Sequence, residues 1–354
     1  MPHHRSGRAA VAAGLLIMAL SVFAEAQPGD AMSPCLGRGG ATVDQRIAAC
    51  SSIIEAQTAP KETLALAYGN RGVARSQKRD LEGARRDYDE SLRLDSSSAS
   101  SHRFRGNLLL FDASELRATE EFRKAIEVDP KHGAAYANLG ALALRRGSFA
   151  SAVQYLDKAV ELDPDVPAGY VPRGQARIQL EMYDKAIEDF TVALKLNTPE
   201  PAEALFGRGT AYAHKGEHEK ALADYNEGLR LRSSVGDPFA VRCAIRAVLG
   251  QPADQVMEDC DKAAGLPNSM PMMRNMRGFA LLKLDKPERA AKEFEIVLAP
   301  QMPLSEAKAL AYYGHGLASR RLGNADISAV DFAAAAKASP IAKRRADVFF
   351  RLEK

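Results

Sequence analysis

The residues with the clearest catalytic pattern are two histidines and a glutamate in the stretch His214-Lys215-Gly216-Glu217-His218. This order, H-x-x-E-H, is the inverted form of a zinc-protease motif, in which two imidazoles bind the metal and the carboxylate activates water. That chemistry requires both histidines on one face of a single helix. Gly216 stands between them and favours a helix stop, so the sequence predicts a polar turn here and no metal ligand.

A cluster of methionines is the second group that could carry chemistry. It consists of Met270, Met272, Met273 and Met276. Thioethers are soft ligands that suit copper(I). Methionine also forms adaptable apolar surfaces for partners, and it fills ordinary cores. We favour these two apolar interpretations over a copper site, so no metal is predicted.

The chain lacks the other common catalytic patterns. No GxSxG, GxGxxG or phosphate-binding glycine loop follows a predicted strand, because no strand is predicted. Carboxylates such as Glu188-Asp189 and Glu258-Asp259 are interpreted as exposed faces of helices. The sequence therefore predicts no enzyme, no catalytic residue and no cofactor.

A pattern of small and large apolar residues recurs along the chain with a period of 34. Gly72, Gly106, Gly140 and Gly174 are spaced by 34 residues, as are Ala84, Ala118, Ala152 and Ala186. An aromatic residue or leucine follows each alanine, at Tyr88, Phe122, Leu156 and Phe190. Small residues let two antiparallel helices approach closely, and the larger side chain fills the gap to the next unit. This period is typical of a helix-turn-helix solenoid.

The units resemble the tetratricopeptide repeat (TPR) family over residues 65–340, in about eight copies. The resemblance implies an all-α fold, an α-solenoid coiled into a right-handed superhelix. One repeat cannot bury its own apolar face, so the two ends need covers. Residues 27–64 are predicted to contain an N-terminal capping helix. Residues 341–354 are predicted to form a C-terminal capping helix with Val348, Phe349 and Leu352 inward and its basic residues outward.

The TPR resemblance also implies a binding surface, because in this family the first helices of the repeats line a concave groove for partner peptides. It places nine residues in this groove: Arg103, Asn107, Phe111, Asn138, Arg145, Gln175, Phe206, Phe279 and Tyr313. Some members of the family grip a peptide's terminal carboxylate with a clamp of asparagine and basic residues. Here Ala168 and Pro172 stand where that clamp needs basic residues, so a complete clamp is not predicted.

The predicted function is a non-catalytic scaffold that binds a protein or peptide partner in this groove. Two alternatives from other classes remain. One is a structural or chaperone-like component of a cell-envelope assembly, which co-purification in a stable complex would favour. The other is a metal-binding protein or an enzyme, which bound metal after purification would favour. The sequence does not identify the partner, since a fold does not determine a function.

The N-terminus has the pattern of a signal peptide over residues 1–26. A basic start is followed by an uncharged apolar run, Ala9 to Phe23, and by Ala24-Glu25-Ala26, which favours cleavage before Gln27. A membrane anchor is the alternative, but a run of about 15 residues is short for a span. We therefore expect a bacterial periplasmic or secreted protein with no membrane span after cleavage.

The net charge is small before and after this cleavage. The formal charge of +3 falls by two with Arg5 and Arg8 and rises by one with Glu25, which leaves +2. Such a balance predicts neither nucleic acid nor a strongly acidic partner.

Four cysteines in an exported chain predict two disulfides. Cys35 and Cys50 are near in sequence, and Cys243 and Cys260 lie on the two helices of one degenerate repeat, so we expect these two pairs. Free buried thiols are the alternative. Zinc is disfavoured because the spacing contains no CxxC or Cys/His pattern.

Overall fold

The computed structural model describes residues 28–233, 236–264, 271–300 and 305–351. Over these residues the regular secondary structure is helical, without a strand. The chain divides into two compact units, and the division falls between Ser96 and Ser97. The predicted signal peptide, residues 1–26, lies outside the described residues.

The first unit contains four described α-helices and a short 3-10 turn at Arg38–Gly40. The helices are α1 (Pro28–Cys35), α2 (Val43–Ala56), α3 (Lys61–Gln77) and α4 (Leu81–Leu94). Thr42 accepts a hydrogen bond from the Gln45 amide, and the Gln45 side chain accepts one from the Thr42 amide, so a capping box starts α2. Ile53 and Ile54 on α2 are buried beside Tyr68 of α3, which covers one face of the first helix pair.

The second unit consists of seven helix pairs, a 3-10 turn at Pro167–Gly169 and a final short helix. Its helices are α5 (Ala99–Phe111), α6 (Glu115–Val128), α7 (Gly133–Arg145), α8 (Phe149–Leu162), α9 (Tyr170–Gln179), α10 (Tyr183–Lys195), α11 (Pro201–His214), α12 (His218–Leu231), α13 (Gly236–Val248), α14 (Ala253–Ala264), α15 (Pro271–Lys283), α16 (Pro287–Leu298), α17 (Glu306–Arg321), α18 (Ala325–Ala338) and α19 (Ala342–Phe350). We number the pairs from repeat one (α3 and α4) to repeat eight (α17 and α18). The fold is an all-α solenoid of such repeats.

The predicted glycines lie where the two helices of a repeat cross. A Cβ atom at Gly72 would lie 2.6 Å from the Tyr88 ring, and one at Gly174 would lie 2.8 Å from the Phe190 ring. At Gly140 the added atom would collide with the Leu156 side chain. The rings of Phe122 and Phe190 are fully buried. The crossing is therefore close enough that only glycine fits without displacing the core.

Each crossing except one also contains a buried pair between a basic side chain and a carboxylate. The basic residue precedes the glycine position on the first helix, and the carboxylate precedes the aromatic position on the second. The pairs are Arg71–Asp87, Arg105–Glu121, Arg173–Asp189, Arg208–Asp224, Arg242–Asp259, Arg277–Glu293 and His315–Asp331. Repeat three instead has Leu139 and Tyr155 at these positions, and they belong to one apolar cluster.

These pairs correct the expectation that the carboxylates are solvated. Asp189 and Asp259 are buried, whereas their neighbours Glu188 and Glu258 are exposed as predicted. Burial raises the pKa of Glu121, but hydrogen bonds from His102 and Arg105 outweigh that effect and hold the pKa at about 2. The Glu121 carboxylate therefore stays ionised, whereas burial raises the pKa of Asp189 despite its hydrogen bonds from Arg173 and Arg177.

Candidate functional site

Four cavities follow the first helices of the second unit from repeat two to repeat five and continue beneath α19. Their volumes are about 140, 580, 400 and 300 Å³ in chain order. Successive cavities share lining residues, namely Val166 and Ala168, then Gln175 and Glu203, then Ile178, Gln179 and Thr210. We call the first three cavities the open groove and the fourth the α19 cavity.

The polar lining of the open groove combines amide side chains with charged ones, which are Arg103, Asp163, Glu200, Glu203, Arg232 and Asp237. The Asn138 amide nitrogen donates to the Asn107 amide oxygen at 2.7 Å, which joins α5 to α7. Gln175 lies on α9, between the second and third cavities. Within the described residues, the Gln175 side chain and the remaining polar atoms of the two asparagines have no hydrogen-bond partner. Each amide can both donate and accept, so Asn138 and Gln175, which line the cavities, can bind a backbone of either polarity, while Asn107 holds Asn138 in place.

Arg103 supplies positive charge at one end of the open groove. Its guanidinium lies 3.9 Å from the centre of the Phe104 ring, and Arg103 lines the first cavity together with Asn138. Burial, followed by the charge of Arg103, lowers the pKa of nearby His132. Asp163 lines the same cavity, so this end of the groove presents both a cation and a carboxylate to a partner.

The other predicted groove residues fall into three groups, which differ in where they lie and in how exposed they are. Phe206 is buried at the floor of the third cavity, where its ring stacks on Tyr225 at 5.6 Å. Phe111 and Arg145 are exposed at the ends of α5 and α7, outside the four cavities, and Arg145 pairs with Glu115 on α6 at 2.6 Å. Phe279 and Tyr313 are buried beneath α19, so the expectation that a partner could reach them is wrong for this structure.

The position of α19 differs from the predicted end cap. The helix packs against α11, α13 and α17, which are the first helices of repeats five, six and eight, as well as against α18. Phe349 and Phe350 are buried, whereas Val348, predicted to point inward, is 43% exposed. Leu352 lies outside the described residues. The helix therefore covers the first-helix side of the C-terminal repeats and does not only close the last one.

The H-x-x-E-H stretch forms the predicted turn between α11 and α12, but it is not an exposed polar turn. Gly216 has the positive φ of 77° expected for the helix stop. His214 stacks on Tyr183 with ring centres 5.1 Å apart, and its edge meets the Phe349 ring. His218 is fully buried, and its Nε2 atom lies 2.6 Å from the Phe349 carbonyl oxygen. In the part of the chain that the structure describes, no three His, Cys, Asp or Glu side chains are grouped to hold a metal ion.

The cysteines and methionines occupy structural positions. The structure pairs Cys35 with Cys50 and Cys243 with Cys260, with Cα atoms 4.8 Å and 5.3 Å apart. Met272 and Met276 line the α19 cavity, as expected for an apolar surface. Met270 lies outside the described residues.

The repeat architecture agrees with a family comparison. Residues 116–167 and 171–235 match the family model described as tetratricopeptide repeat. Over these residues the chain belongs to the tetratricopeptide repeat (TPR) family. The matched residues extend from α6 through α12, so they include most of the TPR repeats that form the open groove. No curated protein matches the sequence of this TPR protein significantly.

Several solved structures share the fold of this TPR protein. A tetratricopeptide repeat protein from Parabacteroides merdae is 19% identical, with a TM-score of 0.54 over 71% of this chain and 98% of that chain. PilF of Pseudomonas aeruginosa is 20% identical, with a TM-score of 0.50 over 67% and 98%. A chain of the APC/C Cut9–Hcn1 hetero-tetramer is 15% identical, with a TM-score of 0.52 over 91% and 80%. At these identities the similarity shows the fold alone.

None of the described helices combines the length and the apolar character that a membrane-crossing helix requires.

Proposed function

We propose that this TPR protein is a non-catalytic scaffold that binds an extended segment of a partner protein in the open groove. The observation that supports this most strongly is the row of three connected cavities along the first helices of repeats two to five, lined by amide side chains with unfilled hydrogen-bonding capacity. The fold itself supports a protein-interaction role, since a solenoid of repeats presents a large preformed surface.

The chemistry of the groove favours an extended peptide. Asn138 and Gln175 can pair with backbone carbonyl and amide groups that a partner in extended conformation leaves unpaired. Val166 and Val171 add apolar contacts in the second cavity. Arg103 at the first cavity suits a carbonyl or carboxylate group of the peptide.

A peptide-display selection on the oxidised chain, followed by affinity measurements, tests this proposal. In the Asn138→Ala, Gln175→Ala double variant, selected peptides should bind roughly 10- to 100-fold more weakly, as is typical of a lost buried contact of about 1–3 kcal/mol. The matched control is Gln154→Ala, an exposed amide on the second helix α8. Peptides whose affinity falls with Gln154→Ala and not with the groove variant would contradict the proposed site.

A second candidate role is that of a component in a cell-envelope assembly, which would use the outer faces of the repeats. Ile327 and Val330 on the second helix α18 favour it, since they lie about one turn apart and are 49% and 69% exposed. Val330→Lys should then release the chain from a stable complex and leave peptide binding in the open groove unchanged. Size-exclusion chromatography of envelope extracts would separate the two roles.

We also propose that the chain acts in an oxidising compartment, as a bacterial periplasmic or secreted protein. The two disulfides support this location, because such bonds persist outside the reducing cytosol. Intact mass of the exported protein should correspond to a chain that begins at Gln27 and contains no alkylatable thiol. A species that retains Met1 with four alkylated cysteines would disprove the proposal.

A further inference from the structure

The surface beneath α19 already holds a helical ligand, because α19 lies on it as a separate short helix. Only residues 339–341 join α19 to α18. Besides the neighbouring α17 and α18, α19 packs against α11 and α13, which are distant in sequence, and the hydrogen bond from His218 to the Phe349 carbonyl spans 131 residues. The contacts of α19 therefore show what kind of helix this surface accepts.

Two adjacent aromatic side chains are the apolar anchors of α19. The Phe350 ring stacks on Phe279 of α15 with centres 4.4 Å apart. The Phe349 ring meets the edges of His214 and His218 at 5.4 Å and 6.4 Å. Two adjacent aromatic residues at the end of one helix thus contact two different repeats, Phe350 repeat seven and Phe349 repeat five.

Charge complementarity fixes the other end of α19. Glu181, between α9 and α10, accepts hydrogen bonds from Arg344 at 2.5 Å and Arg345 at 3.3 Å. Glu306 at the start of α17 accepts one from Arg345 at 2.5 Å. Two carboxylates on the surface therefore select a basic first turn in the docked helix.

The fit between α19 and this surface is incomplete. The α19 cavity of about 300 Å³ remains between them, lined by Met272, Met276 and Leu310 on one side and by Ala346 and the phenylalanines on the other. Unfilled apolar volume forfeits packing contacts that a bulkier side chain would make. A ligand helix with a side chain larger than that of Ala346 would fill more of this space.

We propose that this surface, formed by Glu181, His214, His218, Phe279 and Glu306 and here called the α19 site, binds a short helix of a partner protein. The partner helix has a basic first turn and two adjacent aromatic residues near its C-terminal end. The chain's own α19 occupies the α19 site until such a helix displaces it. The α19 site is distinct from the open groove, although the two adjoin at Gln179 and Thr210.

Displacement can be measured in the full-length chain with a tryptophan reporter, because the sequence contains no tryptophan. Phe350→Trp places an indole where Phe350 stacks on Phe279, at a position that also lines the α19 cavity. A synthetic peptide with the sequence of residues 339–351 should shift the indole emission to longer wavelength as it displaces the tethered helix. The same peptide with Phe349→Ala and Phe350→Ala should cause no shift.

Direct binding of that peptide, labelled with fluorescein, provides the second measurement. A full-length Phe349→Ser, Phe350→Ser variant should bind the peptide at least tenfold more tightly than the wild-type chain, since its own helix no longer competes. A peptide with Arg344→Glu and Arg345→Glu should lose this binding. The groove variant Asn138→Ala, Gln175→Ala should leave binding of the α19 peptide unchanged. A loss of peptide binding at the α19 site can therefore be distinguished from a loss of binding in the open groove.

Three results would overturn the proposal. Equal affinity of the wild-type chain and the Phe349→Ser, Phe350→Ser variant would show that α19 does not compete for the site. Equal binding of the peptide that lacks both phenylalanines would show that the aromatic pair is not recognised. An indole shift caused by vesicles of anionic phospholipid, with none caused by the peptide, would show that α19 is released to a membrane surface and not by a partner helix.

Discussion

The Nε2 atom of His218 lies 2.6 Å from the carbonyl oxygen of Phe349, and its Nδ1 atom lies 2.9 Å from the carbonyl oxygen of Gly216. A neutral imidazole can donate to only one of these two oxygens, whereas the protonated ring donates to both. The ring therefore links the turn of repeat five to the end of α19. The Arg351 guanidinium adds a second link, since it donates to the same Gly216 carbonyl at 2.6 Å.

The first prediction follows from this link. His218→Ala should release α19, because the Phe349 carbonyl loses its buried partner at a cost of about 1–3 kcal/mol. Hydrogen exchange of the backbone amides at residues 342–350 should accelerate roughly 5- to 100-fold, in proportion to that cost. Glu217→Ala in the same turn is the control, with a change within about 0.5 kcal/mol. Unchanged exchange in His218→Ala would show that the aromatic pair alone holds the helix.

The second prediction concerns pH. Burial, followed by the charge of Arg345, lowers the pKa of His214 from 6.5 to about 4, against a smaller opposing effect of Glu181. Because the unfolded chain then binds a proton that the folded chain does not, stability is full above about pH 6.5. It falls as the pH drops from there towards 4, by up to about 3 kcal/mol.

His214→Phe is the matched variant for this effect, since a phenyl ring can keep the stacking on Tyr183 without titrating. Urea unfolding of both proteins at pH 7 and pH 4.5 measures it. The wild-type chain should lose more stability than the variant over this interval. Parallel losses would assign the acid sensitivity to groups other than His214.

The third prediction tests the close helix crossing. Gly140→Leu should lower the free energy of unfolding by about 1–3 kcal/mol or more, because the new side chain must displace Leu156 from a packed core. Ser151→Leu, an exposed position on α8, is the control and should be nearly neutral. If both variants unfold at the wild-type urea concentration, the crossing is looser than the structure indicates.

The fourth prediction uses the difference between repeat three and the other repeats, since repeat three has Leu139 and Tyr155 where the others have a basic residue and a carboxylate. In repeat five, Arg208 binds Asp224 through two hydrogen bonds of 2.8 Å and 2.7 Å, and the pKa of Arg208 is raised by this partner. Arg208→Leu alone leaves the Asp224 carboxylate buried without a cation and should cost about 3–5 kcal/mol.

The double variant Arg208→Leu, Asp224→Tyr reproduces the Leu139 and Tyr155 combination and should be more stable than Arg208→Leu alone. A double-mutant cycle by urea unfolding gives the coupling between the two positions. Additive effects would mean that the ion pair contributes nothing specific to the crossing.

The repeats were predictable from sequence because they depend on local spacing. The period of 34 positioned Gly72, Gly106, Gly140 and Gly174 at helix crossings, and the crossing geometry of one repeat is set within that repeat. The buried pairs carried a signal too, since an arginine before the glycine and a carboxylate before the aromatic recur 16 residues apart in most repeats. Treating Asp189 and Asp259 as exposed ignored that recurrence.

The docking of α19 was not predictable in the same way. His218 and Phe349 are 131 residues apart, and nothing in the local pattern of residues 341–354 says which repeat the helix will reach. The amphipathic pattern identified a helix with one apolar face. The partner of that face depends on the arrangement of the whole second unit, so His214 and His218 could only be read as part of a polar turn.

Repeat three has Leu139 and Tyr155 where the other repeats have a basic residue and a carboxylate. This difference limits which recombination events within the gene leave a foldable chain. A crossover between the two helices of a repeat would combine Leu139 with a foreign carboxylate, or Tyr155 with a foreign arginine. Either hybrid would bury an uncompensated charge at the helix crossing. A crossover in the loop between two repeats keeps each matched combination together. For repeat three, the whole helix pair, and not a single helix, is therefore the segment that gene rearrangement can exchange without burying an unpaired charge.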